Sequence, residues 1–236
     1  MDRLPSISAF FPAYNEEANV ASMVERLRGV LPGVADDYEI IIVDDGSQDR
    51  TPEIADQLAA ADPRVRVVHH AQNRGYGGAL KSGFEASRKA YVFFTDGDGQ
   101  FDVAEIAQLL PHLPHYDVVI GYRIHRAEGG LRRLNAGAWN LLVRRLFGIP
   151  SRDVDCAFKL FDRRVFDVVH PEAEGAMIST EILARTVRAG FRVTEVGVHH
   201  YPRRHGTPTG GNPLVIARAF YELFKLYRKI TREARR

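Results

Sequence analysis

The sequence predicts an α/β fold in which a mostly parallel sheet is flanked by helices. Short apolar segments of strand-like composition alternate with segments whose apolar residues recur at helical spacing. Segments such as YEIIIVDD and YVFFTDGD run through continuous hydrophobic residues into acidic ones, as strands buried on both faces of a parallel sheet do. We therefore expect the acidic residues to meet beyond the carboxyl ends of the strands, where ligands of such sheets bind.

The first half of the chain alternates regularly. Strands are predicted in SISAFFPAY, YEIIIVDD, VRVVHH, YVFFTDGD and YDVVIGYR. A first helix is predicted after Asn15, which would cap it, with two glutamates following at the positive helix start. Its apolar stripe consists of Val20, Met23, Val24, Leu27 and Leu31. A second helix is expected to begin at Thr51–Pro52, and GYGGALKSGFEASRKA and DVAEIAQLLPHL predict two more.

The second half, from about Ile124, is less regular. GGLRRLNAGAWNLLVRRLFG predicts an amphipathic helix, DCAFKLFDRRVFDVV a strand running into a helix, STEILARTVRAG a helix closed by Gly190, and FRVTEVGVHHY a strand. A last helix is expected from Leu214 to Ile230. The predicted organisation is one domain with a first half (1–123), a second half (124–211) and a C-terminal amphipathic basic helix (212–236).

Composition limits the class of protein. The chain has 236 residues, 45% of them hydrophobic, which suffices for one large domain or two small ones. A net charge of +2 gives no reason to expect a nucleic-acid partner. Cys156 is the single cysteine, so we expect a core thiol in a reducing, cytoplasmic setting. The start of the chain does not resemble a signal peptide, and no run of 18 apolar residues predicts a membrane span.

The stretch YVFFTDGDGQFD predicts a cation site at the end of a strand. Side chains two residues apart in an extended segment point the same way, so Asp96 and Asp98 can reach one cation. Gly97 and Gly99 let backbone and substrate approach closely. Hard carboxylate oxygens suit Mg²⁺ or Mn²⁺, with water and substrate phosphates completing the coordination shell. Aspartates that merely cap turns would give the same spacing, which by itself does not decide between the two.

The order of several motifs carries a family resemblance. FFPAYNEEANV, IIIVDDGSQDRT, QNRGYGGALKSG and TDGDGQFD follow one another, and GYR, DVDCAFKLFDR, ISTEI and HYPRRHGTPTG come later. In this order the chain resembles the family-2 inverting glycosyltransferases of GT-A fold, from Ser6 to about Gly211. Within them it is similar to the polyprenyl-phosphate (dolichyl-phosphate) mannosyl- or glucosyltransferases.

The resemblance implies a nucleotide-sugar site at the ends of the first, second and fourth strands. Residues 1–123 would then be the nucleotide-sugar-binding half of the domain and residues 124–211 the acceptor-side half. Base and ribose would be held by Val43 and Asp45, although Asp44–Ser47 alone could be a turn and helix cap. Gly97 stands where the family commonly has alanine, a small exchange. The implied donor-site residues are Pro12, Tyr14, Glu16, Val43, Asp45, Asp96, Gly97, Asp98, Arg123 and Arg203. The implied metal ligands are Asp96, Asp98 and Gln100.

The implied catalytic residues are Asp98, Arg123, Asp153 and Arg203. Both arginines are candidates for binding the departing diphosphate, because a planar guanidinium can take two phosphate oxygens at once. Asp153 would orient the acceptor or accept its proton, with Asp155 as a rival. A salt bridge of these acids with Arg152 or Lys159 is an equally good interpretation.

The resemblance implies transfer of a hexose, mannose favoured, from GDP-mannose or UDP-glucose to a polyprenyl phosphate. Arg132 and Arg133 could meet the acceptor phosphate, or could simply lie on a solvated helix face. A lipid monophosphate, with a second pKa of about 6, needs no strong base, whereas a hydroxyl acceptor does. A hydroxyl-specific transferase and an inactive nucleotide-sugar-binding relative remain alternatives. The chain lacks the glycine patterns of dehydrogenases and P-loop NTPases.

The end of the chain bears on location. From Arg218 to Arg236 there are seven Lys or Arg residues against two Glu, interspersed with aromatic residues. Such a helix could lie on the anionic inner face of a membrane, or pack on its own domain or on a second subunit. Relatives that use lipid acceptors often carry membrane-spanning helices after the catalytic domain. We therefore expect a cytoplasmic protein, attached peripherally to the membrane or through a membrane partner.

Overall fold

The computed structural model describes residues 3–124, 130–175, 177–202 and 213–233, and for 130–136, 138 and 213–219 the backbone alone. The strands are β1 (Leu4–Ala13), β2 (Ala35–Asp44), β3 (Val65–His69), β4 (Tyr91–Thr95), β5 (Val118–Arg123), β6 (Phe158–Asp162) and β7 (Val193–Val198). The helices are α1 (Val20–Val34), α2 (Thr51–Ala61), α3 (Gly75–Ala86), α4 (Gly130–Phe147), α5 (Val165–Val168), α6 (Ile178–Arg188) and α7 (Pro213–Glu233).

All the strands belong to one sheet with the order β3-β2-β1-β4-β6-β5-β7. The first four strands run parallel, and β5 runs parallel to β7. Strand β6 lies between β4 and β5 and is antiparallel to both. Lys159 of β6 is opposite Phe94 of β4 and Ile120 of β5. The predicted α/β fold with a mostly parallel sheet is confirmed, and strands from both halves of the chain share the sheet.

Both faces of the sheet are covered, as the continuous apolar strands predict. Phe94 lies with Phe10, Phe84 and Phe161 on one face, while the preceding residue Phe93 packs against Phe158 on the other. A Cβ added at Gly83 of α3 would lie 2.3 Å from the Phe10 ring, so glycine allows this close approach. The predicted apolar stripe of α1 is fully buried.

Two local expectations are wrong. Helix α1 begins at Val20, and Asn15 does not cap it but adopts a φ of 55° in the preceding loop. The segment DVAEIAQLLPHL forms short 3₁₀ helices, Val103–Gln108 and Leu110–His112, instead of an α-helix. Pro111 has no backbone N–H, and its ring would collide with the carbonyl four residues earlier in an α-helix, so the longer ladder cannot form.

The remaining elements agree with the sequence. Gly190 ends α6 in a left-handed conformation with φ 86°. Cys156 is a buried free thiol, and this burial raises its pKa to about 12. Among the helices that the structure describes, none is both long and apolar enough to cross a bilayer.

Candidate active site

The loops after β1 and β2 are joined by hydrogen bonds at the carboxyl edge of the sheet. The backbone N–H of Asn15 donates to Ser47 Oγ at 3.0 Å, and the backbone N–H of Gln48 donates to Asn15 Oδ1 at 2.8 Å. The backbone N–H of Asp45 donates to the Ala13 carbonyl at 2.9 Å. Asn15, which has a left-handed backbone conformation, therefore holds the two loops together through its side chain.

The predicted nucleotide contacts of the first strand lie on this edge. Tyr14 is exposed and Pro12 is partly buried. The backbone N–H of Glu16 donates to Thr51 Oγ1 at 2.9 Å, and its carboxylate accepts from Asn19 Nδ2 at 2.5 Å. These bonds fix the loop that carries Tyr14 and Glu16 to the starts of α1 and α2.

Asp45 lies at the centre of a buried polar network. Its Oδ1 accepts from the Arg74 backbone N–H at 2.8 Å and lies 2.6 Å from His70 Nδ1. His70 Nε2 lies 2.8 Å from Ser82 Oγ. The carboxylate is thus oriented by residues that follow β3 and by the start of α3, while neighbouring Val43 is fully buried in the core.

Sequence reasoning missed His70 and Arg74. The signal was available in VRVVHHAQNRG, because a parallel β3 next to β2 brings the residue after its end beside Asp45. The histidine pair at the end of a predicted strand therefore indicates polar side chains at the same edge of the sheet as the acidic residues.

The acidic pair follows β4. Tyr76 Oη donates to Asp96 Oδ1 at 3.1 Å, and Asp98 Oδ1 accepts from the Gln100 backbone N–H at 3.0 Å. Burial, followed by the nearby negative charge of Asp98, raises the pKa of Asp96 to about 7. Two carboxylates that repel each other in a partly desolvated loop form a donor set that suits a divalent cation.

A buried lysine lies near this pair. Lys159 of β6 is 1% exposed, donates to the Cys156 carbonyl, and has its Nζ 5.1 Å from the centre of the Phe94 ring. Burial lowers the pKa of Lys159, while its positive charge acts to lower the pKa of Asp96. The strand that intervenes between β4 and β5 thus brings a cation beside the acidic loop.

The acidic loop requires glycine at two positions, Gly97 because of a close contact and Gly99 because of its left-handed backbone. A Cβ added at Gly97 would lie 2.6 Å from the Pro12 carbonyl oxygen, so the exchange of the family's common alanine for glycine is not small in this chain. Gly99 has a φ of 71°. Arg26 of α1 donates to the Gly99 carbonyl at 3.1 Å and also to that of Phe101. The loop is therefore held from both sides.

Gln100 connects the acidic loop to the end of β7. Its Nε2 donates to the Tyr201 carbonyl at 2.8 Å, and the Tyr201 backbone N–H donates to the Gln100 carbonyl at 2.8 Å. The amide nitrogen of Gln100 is thus engaged with the backbone. Its role as a metal ligand stays a prediction.

Arg123 and Asp153 form a bidentate ion pair. Arg123 Nε donates to Asp153 Oδ2 at 2.6 Å and Nη2 donates to Oδ1 at 2.8 Å, with Asp153 only 3% exposed. Burial alone would lower the pKa of Arg123, but the carboxylate of Asp153 outweighs it and raises that pKa above its usual value. The partners expected from sequence are engaged elsewhere, Arg152 with Glu195 at 2.6 Å and Lys159 with a carbonyl.

Other predicted site residues are placed only in part. Asp155 is exposed. Arg203 lies outside the described residues, and Arg132 and Arg133 lie in α4, where their side chains are outside the description. Within the described ranges, no three His, Cys, Asp or Glu side chains converge on a metal position. Any cation bound by Asp96 and Asp98 would therefore depend on other ligands, such as water or a diphosphate.

Known proteins similar to this chain are glycosyltransferases. Glycosyltransferase AglD of Haloferax volcanii is 38% identical over 84% of this chain and 33% of its own length. Undecaprenyl-phosphate 4-deoxy-4-formamido-L-arabinose transferase of Pectobacterium carotovorum is 31% identical over 88% of this chain and 63% of its own. The chain thus spans between one third and two thirds of these relatives.

Solved structures show the same fold. Glucosyl-3-phosphoglycerate synthase of Mycobacterium tuberculosis, crystallised with Mn²⁺ and UDP-glucose, superposes with a TM-score of 0.66 at 22% identity, covering 96% of this chain and 77% of that one. The profile of the family described as Glycosyl transferase family 2 matches residues 8–169, which include the loops after β1, β2 and β4 and the Arg123–Asp153 pair. The chain belongs to glycosyl transferase family 2 and has the GT-A fold.

Proposed function

We propose that this chain is a metal-dependent inverting glycosyltransferase that moves a hexose from a nucleoside diphosphate sugar to a polyprenyl phosphate. The observation that carries the proposal is the position of Asp96 and Asp98 beyond β4, at the same edge of the sheet as Asp45, which follows β2 on the other side of β1. Relatives that act on undecaprenyl or dodecaprenyl phosphate support the acceptor class.

Proteins similar to this chain are named for different sugars. Relatives are named for 4-deoxy-4-formamido-L-arabinose and galacturonate, and a protein of the same fold was crystallised with UDP-glucose. We keep GDP-mannose and UDP-glucose as the donors to test, mannose being favoured by the motif resemblance alone. In this proposal the oriented carboxylate of Asp45 accepts a hydrogen bond from the base or the ribose, on a site lined by Pro12, Tyr14 and Glu16. The side chain of Val43, which the resemblance also assigns to the base, is fully buried and is not a proposed contact.

Asp96 and Asp98 would hold Mg²⁺ or Mn²⁺, with Gln100 as a third candidate ligand. The cation would stabilise the negative charge that accumulates on the diphosphate as its bond to the sugar breaks. Gly97 would let the donor approach the loop backbone. Arg123 uses Nε and Nη2 for Asp153, so in this proposal a phosphate oxygen is bound by Nη1, with Arg203 as the second cation.

A phosphate acceptor fits the observed state of Asp153. Because its carboxylate is paired with Arg123, it is better suited to position Arg123 than to take a proton. A lipid phosphate with a second pKa of about 6 is already a nucleophile at neutral pH, so it makes no demand for a strong base. Arg132 and Arg133 are the proposed contacts of that phosphate.

Helix α7 supports peripheral attachment at the cytoplasmic face of a membrane. Phe220, Tyr221 and Phe224 are exposed on it, beside basic residues such as Arg228. The helix is tied to the domain by ion pairs, including Lys229 with Glu172 at 2.5 Å. Flotation with vesicles containing anionic lipid tests this attachment, and equal recovery with neutral vesicles would argue against it.

One incubation series tests the function. Purified protein and Mn²⁺ are combined with GDP-mannose or UDP-glucose and with either polyprenyl phosphate or a simple sugar acceptor. We expect a glycosylated lipid phosphate as the product, with none formed after chelation of the metal. A product linked to a sugar hydroxyl would instead identify a hydroxyl-specific transferase, and donor binding without turnover on any acceptor would indicate an inactive relative.

Metal affinity should rise with pH. Since the pKa of Asp96 is raised to about 7, the metal-free protein carries a protonated Asp96 below that pH and a carboxylate above it. A cation competes with this proton, so the affinity for Mn²⁺ should increase about tenfold from pH 6 to pH 8. Electron paramagnetic resonance of free Mn²⁺ measures this. A flat profile over this range would contradict a pKa near 7 for a metal ligand.

A further inference from the structure

We propose that Tyr76 is the positioning residue of the metal site, holding the carboxylate of Asp96 through a neutral hydrogen bond that leaves its charge available to the cation. The inference rests on the proposed metal-dependent transfer. It adds to the site a residue from α3, far in sequence from the acidic loop, to which neither motif nor spacing assigns a role.

The contact is specific. Tyr76 Oη donates to Asp96 Oδ1 at 3.1 Å. Within the described part of the chain, Tyr76 is the one hydrogen-bond donor to the Asp96 carboxylate, so it fixes Oδ1 and leaves Oδ2 for a ligand. A carboxylate held at one oxygen keeps its side-chain torsions restrained, which lowers the entropy cost when a cation binds at the other oxygen.

Asp96 and Asp153 differ in the charge of the side chain that hydrogen-bonds to each of them. Asp153 is paired with the guanidinium of Arg123, so its negative charge is already compensated. The phenol of Tyr76 carries no charge at neutral pH and donates a hydrogen bond without compensating the carboxylate of Asp96. A divalent cation is therefore attracted more strongly to Asp96 than to Asp153. The choice of partner decides which acid serves as a metal ligand.

The position of Tyr76 is fixed by a close backbone contact at the start of α3. The backbone N–H of Gly77 donates to the Glu174 carbonyl at 2.9 Å. A Cβ added at Gly77 would lie 2.5 Å from the carbonyl carbon of Glu174, so only glycine allows this approach. Gly75 has a φ of 77°, which turns the chain into the helix immediately before Tyr76.

The segment that contacts Gly77 is itself anchored by a buried carboxylate. Glu181 of α6 is 1% exposed, and its Oε2 accepts from the backbone N–H groups of Glu172 and Ala173 at 2.9 and 2.7 Å. Its Oε1 accepts from Arg185 Nε at 2.9 Å. Tyr76 therefore projects from a helix start that is held against an anchored segment, as a positioning residue requires.

The test compares Mn²⁺ binding by the wild-type chain and by Tyr76→Phe, using the metal alone at pH 8 and electron paramagnetic resonance of free Mn²⁺. Removing the hydroxyl leaves the ring in place, so we expect the fold to persist and Mn²⁺ affinity to fall about three- to tenfold, the usual worth of one hydrogen bond. Tyr91→Phe is the matched control, because Tyr91 begins β4 at the end remote from Asp96. It should bind Mn²⁺ like the wild type.

A second measurement separates positioning from general damage. Binding of UDP or GDP without metal should be unchanged in Tyr76→Phe, and added Mn²⁺ should improve it less than in the wild type. Wild-type Mn²⁺ affinity in Tyr76→Phe, or an equal loss of metal-free nucleotide binding, would overturn the positioning role. A wild-type chain that binds no Mn²⁺ would overturn the proposed metal dependence as well, so the two failures are distinguishable.

Discussion

Replacing Asp98 with alanine is expected to reduce metal-dependent transfer by about 10³-fold while leaving the fold intact. The Asp98 side chain is only partly buried and accepts a hydrogen bond from the Gln100 backbone N–H at 3.0 Å, so its loss removes little packing. The cation would lose one of its two carboxylate ligands. Because the charge of Asp98 helps to raise the pKa of Asp96, that pKa should also fall toward its ordinary value in Asp98→Ala.

Asp102→Ala is the matched control in the same loop. Asp102 caps the following 3₁₀ helix by accepting from the Ala104 backbone N–H at 3.0 Å, so its loss should lower the free energy of unfolding by about 1 kcal/mol. Transfer is measured at a temperature where both variants are folded. Asp102→Ala should then react at near the wild-type rate, whereas Asp98→Ala should not. Full activity of Asp98→Ala would remove the metal role of the acidic pair.

Replacing Arg123 with methionine is expected to lower the free energy of unfolding by about 3–5 kcal/mol and to abolish transfer. The change removes the guanidinium whose Nε and Nη2 donate to the buried carboxylate of Asp153 at 2.6 and 2.8 Å. Chemical denaturation measures the loss. Arg152→Met is the control, because its pair with Glu195 is largely exposed on the arginine side and should contribute no more than about 1 kcal/mol.

A double replacement separates stability from activity. In Arg123→Met combined with Asp153→Leu, apolar side chains replace both charges of the pair, so most of the lost stability should return. Transfer should not return, because the cation proposed to bind the diphosphate is still missing. An Arg123→Met chain as stable as Arg152→Met would show that the pair is not a buried ion pair.

The acidic loop illustrates how much of the site can be predicted. The spacing of Asp96 and Asp98 and their place after an apolar strand indicated a cation site, and the structure places them beyond β4. The contact that orients Asp96 was not predictable, because Tyr76 lies on α3, twenty positions earlier in the chain. Even Gly97, a small exchange by residue size, proves to be tightly constrained by the Pro12 carbonyl.

The amino-acid order by itself determined the fold class, the strands and most of the helices, because hydrophobic periodicity and turn residues act over a few neighbouring positions. The tertiary structure alone decided that β6 enters antiparallel between β4 and β5, which brings buried Lys159 beside the acidic loop. It also decided that Asp153 pairs with Arg123, thirty positions earlier in the chain. Strand order and register set such contacts, and a local pattern does not encode which distant residue will face a given side chain.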